Sequence, residues 1–106
     1  MMKLKGKLIV KGILKNTNLS YELVNSIFDY KNSNTIIIPF LNPDYTIILN
    51  KLDVIISNSG SALSHLAVVA REYNKSVIIL EKDFPKIKEY GNLKLSIKGD
   101  QVQILL

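Results

Sequence analysis

The sequence predicts an α/β domain with a central parallel sheet, short helices packed on it and a C-terminal β-hairpin. Three observations carry that expectation. The β-branched runs "NTIIIPF" (34–40), "DVIIS" (53–57) and "SVIIL" (76–80) are of the kind buried on both faces of a sheet. Helix-start chemistry stands between them, in "NPDYTIILNKL" and "ALSHLAVVAREY". The chain then closes on two alternating runs, "LKLSI" and "QVQIL", around "KGD", which is a hairpin signature.

Taken in order, "KLIVKGIL" (7–14) reads as a strand. "SYELVNSIFDY" (20–30) places Leu23, Val24, Ile27 and Phe28 at helical spacing behind a Ser20 N-cap, so a helix is expected there. After the 34–40 strand, Asn42 as N-cap, Pro43 at the first helical position and Asp44 in the first turn mark a short helix. The 53–57 strand leads directly into a turn-rich connection, "SNSGSALS", and then a second helix with Leu66, Val69 and Tyr73 placed to pack on the sheet. "FPKIKEYG" (84–91) is expected to be a short helix or turn, with Pro85 near its start and Gly91 as C-cap. Strand, helix and strand in the middle imply a parallel crossover, with antiparallel additions at the ends.

At 106 residues and 12.0 kDa the chain is expected to be one domain over residues 1–106, burying roughly 60–65% of its unfolded surface. A composition of 47% hydrophobic and 22% charged residues supports a well-cored globular protein. Its apolar runs are too short to span a bilayer. The N-terminus interleaves lysines with apolar residues and shows no secretory pattern, so no membrane association and a cytoplasmic location are expected. With no cysteine and a single histidine, thiolate chemistry is excluded and a zinc site is not supported.

The formal net charge is +5, but in the sequence the lysines are scattered (Lys3, Lys5, Lys7, Lys11 and Lys15, then Lys75, Lys82, Lys86 and Lys88) with no aromatic residues interleaved. Nucleic-acid binding is therefore not favoured. A basic surface equally suits an acidic partner protein or a phosphorylated ligand.

The candidate site is "SNSGSALSHLAVVAREY". Either Ser61 or Ser64 can cap the helix, and both choices put His65 in or just before its first turn. Unpaired backbone N–H groups and the positive end of the helix dipole converge there. Such a place stabilises a phosphoryl group and disfavours a second positive charge, as a phospho-accepting histidine requires. No Asp or Glu stands beside His65 to complete a triad, and Glu72 is roughly 10 Å along the axis. Ser59, Ser61 and Ser64 read as turn and capping residues rather than as nucleophiles.

"DVIISNSGSALSHLAVVAREYNKSVII" resembles the phosphohistidine swivelling, or mobile, domain of the phosphoenolpyruvate-utilising enzymes. That pattern is a hydrophobic strand, Gly-Gly-x-x-Ser-His, a helix of small and aliphatic residues ending Ala-Arg-Glu, then Gly-Ile-Pro and another strand. Gly60, Ser64, His65, Ala70, Arg71 and Glu72 fall in register with it. Upstream, "TIIIPFLNPDYTIILNKLDVII" is similar to the family's preceding strand, helix and strand, and "LSIKGDQVQIL" to its terminal hairpin. Ser61 stands in place of the second glycine, Leu63 where many members have threonine, and Asn74 and Ser76 in place of the later glycine and proline.

The resemblance implies a swivelling β/β/α phosphohistidine-type domain with His65 as the phosphorylated residue, through Nε2. It further implies a phosphate cradle made by Gly60, Ser61, Ser64 and the backbone N–H groups of residues 60–65, with Arg71 as an electrostatic or packing partner. Nucleotide and Mg2+ would be held by an ATP-grasp partner, and pyruvate or phosphoenolpyruvate by a barrel partner. No Gly-rich phosphate loop or acidic metal cluster is found in this chain. The expected role is thus a stand-alone phosphocarrier, a component of a phosphotransferase system working in trans rather than a complete enzyme. The alternative is a non-catalytic swivelling small subunit or interaction module that has lost phosphotransfer.

Overall fold

The computed structural model describes residues 2–82 and 86–106. Its seven strands are β1 (Lys3–Val10), β2 (Asn18–Leu23), β3 (Thr35–Phe40), β4 (Val54–Ser59), β5 (Ser76–Leu80), β6 (Tyr90–Lys98) and β7 (Gln101–Leu105). One α-helix, α1 (His65–Glu72), joins β4 to β5, and a 3-10 helix (Pro43–Lys51) joins β3 to β4. The strands form a closed barrel in the order β1-β5-β4-β3-β2-β6-β7. Strands β2 to β5 run parallel to one another, and every other pairing is antiparallel.

The expected parallel core is present, but as one wall of a barrel and not as a central layer. Closure comes from β1, which pairs with both β5 and β7, and from β6, which pairs with both β2 and β7. Closing the sheet removes its free edges.

The β-branched runs serve two cores at once. Ile37, Val54, Ile56 and Ile78 point into the barrel, where they meet Leu8, Tyr21, Leu95 and Ile104 from the remaining strands. Their neighbours Ile36, Ile38, Ile55 and Val77 point outward, against Leu66, Ala67 and Ala70 of α1 and Tyr45, Ile48 and Leu49 of the 3-10 helix. Period-2 geometry makes both faces apolar only where helices cover the outside, which explains why these three strands lack polar alternation.

Residues 20–30 do not form the expected helix. Ser20, Tyr21, Glu22 and Leu23 belong to β2, and only Ile27–Asp29 make a single 3-10 turn. Ser26 caps that turn by accepting from the Phe28 N–H at 3.1 Å. Ser20 instead exchanges bonds with Asn34: its N–H donates to Asn34 Oδ1 (3.1 Å) and its Oγ accepts from the Asn34 N–H (3.2 Å). The apolar stripe that suggested a helix is not buried as one, because Phe28 is 94% exposed. Strand pairing with residues 35–37 and 90–94 outweighs the local periodicity.

The first strand also begins earlier than expected, at Lys3, and ends at Val10. Of the segment 84–91, Phe84 and Pro85 lie outside the described residues. Gly91 is not a helix cap but a β6 residue paired with Tyr21. The terminal hairpin forms as read, turning at Gly99 with φ +65°. Among the described residues, no helix is long and apolar enough to cross a membrane.

Candidate functional site

The carboxyl ends of β3 and β4 lie side by side, with Phe40 paired to Ser59. The Ser59 hydroxyl donates to the Pro39 carbonyl at 3.2 Å, tying the two ends together. Gly60 then turns the chain out of the sheet at φ +137°, in a conformation that side-chain-bearing residues rarely adopt. Crevices outside the carboxyl ends of parallel strands are where open α/β sheets place their ligands.

From Gly60 the chain winds into α1 through local bonds. The Ser61 Oγ accepts from the Leu63 N–H at 3.2 Å, and the Ser61 carbonyl accepts from the Ser64 N–H at 3.1 Å. Ser64 is the N-cap. Its hydroxyl donates to the Ser61 carbonyl (2.9 Å) and accepts from the Ala67 N–H (3.4 Å), while its carbonyl accepts from the Val68 N–H (3.0 Å). Of the two capping residues left open by the sequence, Ser64 caps the helix and Ser61 makes the turn before it.

His65 is the first residue of α1 and is exposed. Leu66, Ala67 and Ala70 are fully buried beneath it and anchor the helix to the barrel wall. The N–H groups of His65 and Leu66 take no partner among the described residues. An exposed imidazole thus stands beside two free donors and the positive end of the helix. The arrangement can present a ring nitrogen to an incoming electrophile and offer N–H groups to an anion attached to it.

The structure brings Gly60, Ser61, Ser64 and His65 into one turn and leaves Arg71 apart. Arg71 is exposed in the last turn of α1. Six residues carry it about 9 Å along the axis and round to another face. There it complements the negative end of the helix dipole.

Ser61 replaces a glycine of the family pattern without strain, since Asn74 is the sole non-glycine residue with positive φ among the described residues. Asn74 itself, at φ +60°, takes over the glycine position after the helix. Its N–H donates to the Arg71 carbonyl (3.1 Å) and that of Lys75 to the Ala70 carbonyl (2.9 Å), a Schellman ending. Ser76 needs the N–H that proline lacks, donating it to the Asp53 carbonyl at 3.1 Å.

One residue of the site escaped the sequence reading: Leu41 packs under Gly60. Leu63, which stands where many members have threonine, lies beside His65 and is 90% exposed. The signal for Leu41 was present, because a parallel crossover necessarily sets the ends of β3 and β4 next to each other.

A barrel domain presenting a lone histidine at the start of a helix, at the carboxyl ends of its parallel strands, is the class this fold and site define. Residues 31–102 match the family described as PEP-utilising enzyme, mobile domain, and the chain belongs to that family. It is similar to the phosphoenolpyruvate synthase of Aquifex aeolicus (strain VF5), being 27% identical over 107 residues that cover 94% of this chain. The match covers 11% of that relative's length.

Proposed function

We propose that this chain is a phosphoryl-carrying domain in which His65 accepts a phosphoryl group from one active site and surrenders it in another. The observation that carries the reading is the place of His65: exposed, first in α1, and adjacent to the free N–H groups of His65 and Leu66. Membership of the mobile-domain family supports it.

In the transfer, the Nε2 lone pair attacks phosphorus. The N–P bond forms as the P–O bond to the donor breaks, and that electron pair leaves on the donor oxygen. The reverse step hands the phosphoryl group to an acceptor oxygen. The helix start and the 60–65 turn would hold the phosphoryl oxygens while Gly60 keeps the turn open.

Donor and acceptor sites are assigned to a partner in trans, an ATP-grasp protein, a pyruvate- or phosphoenolpyruvate-binding protein, or both. In this reading Mg2+ and nucleotide belong to the partner's site. The test is to incubate the chain and its His65→Ala variant with labelled phosphoenolpyruvate, or with ATP labelled at the β or γ phosphate, together with a phosphoenolpyruvate-synthase-type partner lacking its own mobile domain. The expected product is an acid-labile, base-stable phosphate on wild type alone. Equal labelling of the two proteins would sink the reading.

A further inference from the structure

The lysines that look scattered in the sequence are gathered by the barrel. On β1, Lys3, Lys5 and Lys7 are exposed and point outward, while Gly6 and Leu8 are buried. Their register partners on β7 are Leu105, Gln103 and Gln101, which pair in turn with Lys94, Ser96 and Lys98 of β6. Registered partners share a face, so three rows run across the sheet. Two end in lysine on both sides, Lys3 with Lys94 and Lys7 with Lys98, and Lys5 completes the middle row. Strand spacing and rise put these five ammonium-bearing positions on a patch of about 14 by 10 Å.

No element among the described residues covers this patch. The α-helix and the 3-10 helix bury the outer faces of β3 to β5 and the Val10 end of β1. Two carboxylate residues, Glu81 and Asp100, flank the patch through backbone bonds to Lys5 and Leu8. None of the five lysines is held in an ion pair among the described residues.

We propose that the outer face of β1, β7 and β6 is an electrostatic docking surface for a carboxylate-rich face of a partner protein. Charge complementarity selects that occupant. The face holds lysine and no arginine, and a hydrated point charge suits steering better than bidentate phosphate recognition. No aromatic side chain stands among the three rows to stack a base, and the apolar residues near them, a half-buried Leu105 and Ile97 at 37% exposure, are isolated and form no apolar face to enter a bilayer. The patch is far smaller than the roughly 800 Å² per partner of a stable interface, so it accelerates encounter without holding the complex. In sheet order it lies beyond β5 from the β4 end that carries His65, so a protein docked here leaves the histidine turn free. The proposal does not depend on the chemistry assigned to His65.

An unlabelled decaglutamate peptide titrated into the 15N-labelled chain, followed by NMR, tests it at about 0.01 M and about 0.15 M ionic strength. Two triple variants are compared: Lys3→Gln, Lys5→Gln and Lys7→Gln on the face, and Lys31→Gln, Lys51→Gln and Lys75→Gln off it. Shifts confined to β1, β7 and β6, with at least about tenfold weaker binding in the face variant, less than about twofold in the control, and loss on adding salt, support the surface. Shifts spread over the whole chain, or equal losses in both variants, overturn it. So does tighter binding of a short DNA duplex or of phosphatidylserine vesicles to the same face.

Discussion

Gly60 and Leu41 leave no room for a side chain between them. A Cβ on Gly60 would lie 2.5 Å from Leu41 Cδ1 and 2.8 Å from its Cγ, at a φ of +137°. Both a backbone and a steric penalty therefore attach to Gly60→Ala, and a loss of about 1–3 kcal/mol is expected from denaturant unfolding. In a Leu41→Ala background the steric part disappears while the backbone part stays. The penalty for Gly60→Ala should shrink there without vanishing, and an equal penalty in both backgrounds would show that the contact is immaterial.

Ser64 combines a structural duty with a place beside the proposed phosphoryl group. Ser64→Ala removes the cap and should cost about 1 kcal/mol. Ser64→Asp keeps a capping acceptor, so its stability should stay close to wild type. Its carboxylate would repel a phosphoryl group, however, and labelling of His65 should slow markedly. A Ser64→Asp protein that labels at the wild-type rate would remove Ser64 and its surroundings from the phosphate cradle.

Glu22 is a buried carboxylate that closes the loop after β2. Its two oxygens accept from the N–H groups of Lys31 (2.9 Å), Asn32 (3.1 Å) and Ser33 (2.7 Å). Burial pushes its carboxyl up, but the hydrogen bonds from Ser33, Lys31 and Asn32 more than reverse this, leaving it below the ordinary value of 4.5. A lowered carboxyl stabilises the fold fully above the unfolded value and loses that contribution as pH falls through the folded one. Urea midpoints of wild type and Glu22→Gln should thus differ by a constant amount above about pH 5 and converge below about pH 4.5. The Gln variant should be less stable at neutral pH by about 1–3 kcal/mol. A difference independent of pH would exclude the carboxylate as the cause.

Asn74 stands in the left-handed conformation that ends α1. Asn74→Gly should be neutral or stabilising by a few tenths of a kcal/mol, whereas Asn74→Val should cost about 1–2 kcal/mol. Thermal melts of the two variants decide this, and a Val variant as stable as wild type would contradict the Schellman ending.

Much of the site was legible in the linear sequence because its determinants are local. Ser64, His65 and the Asn42-Pro43-Asp44 start depend on neighbours within four residues, and capping chemistry reads at that range. The three β-branched runs announced burial on both faces, and both faces are buried. Residues 20–30 were misread for the opposite reason. Tyr21 and Glu22 take their backbone partners from residues 35–36 and 90–91, and no local period records such pairing.

The amino-acid sequence alone determined three of the four parallel strands, that a helix begins at Ser61 or Ser64, and that the chain's single histidine stands at that start. The tertiary structure decided the rest: closure of the sheet through β1, β6 and β7, the fit of Leu41 under Gly60, the separation of Arg71 from His65, and the gathering of five lysines from both ends of the chain onto one face. The division has a physical cause. Helix starts and β-branched runs are set by side chains competing for the backbone a few residues away, whereas barrel register is set by hydrogen bonds and packing between residues up to a hundred positions apart.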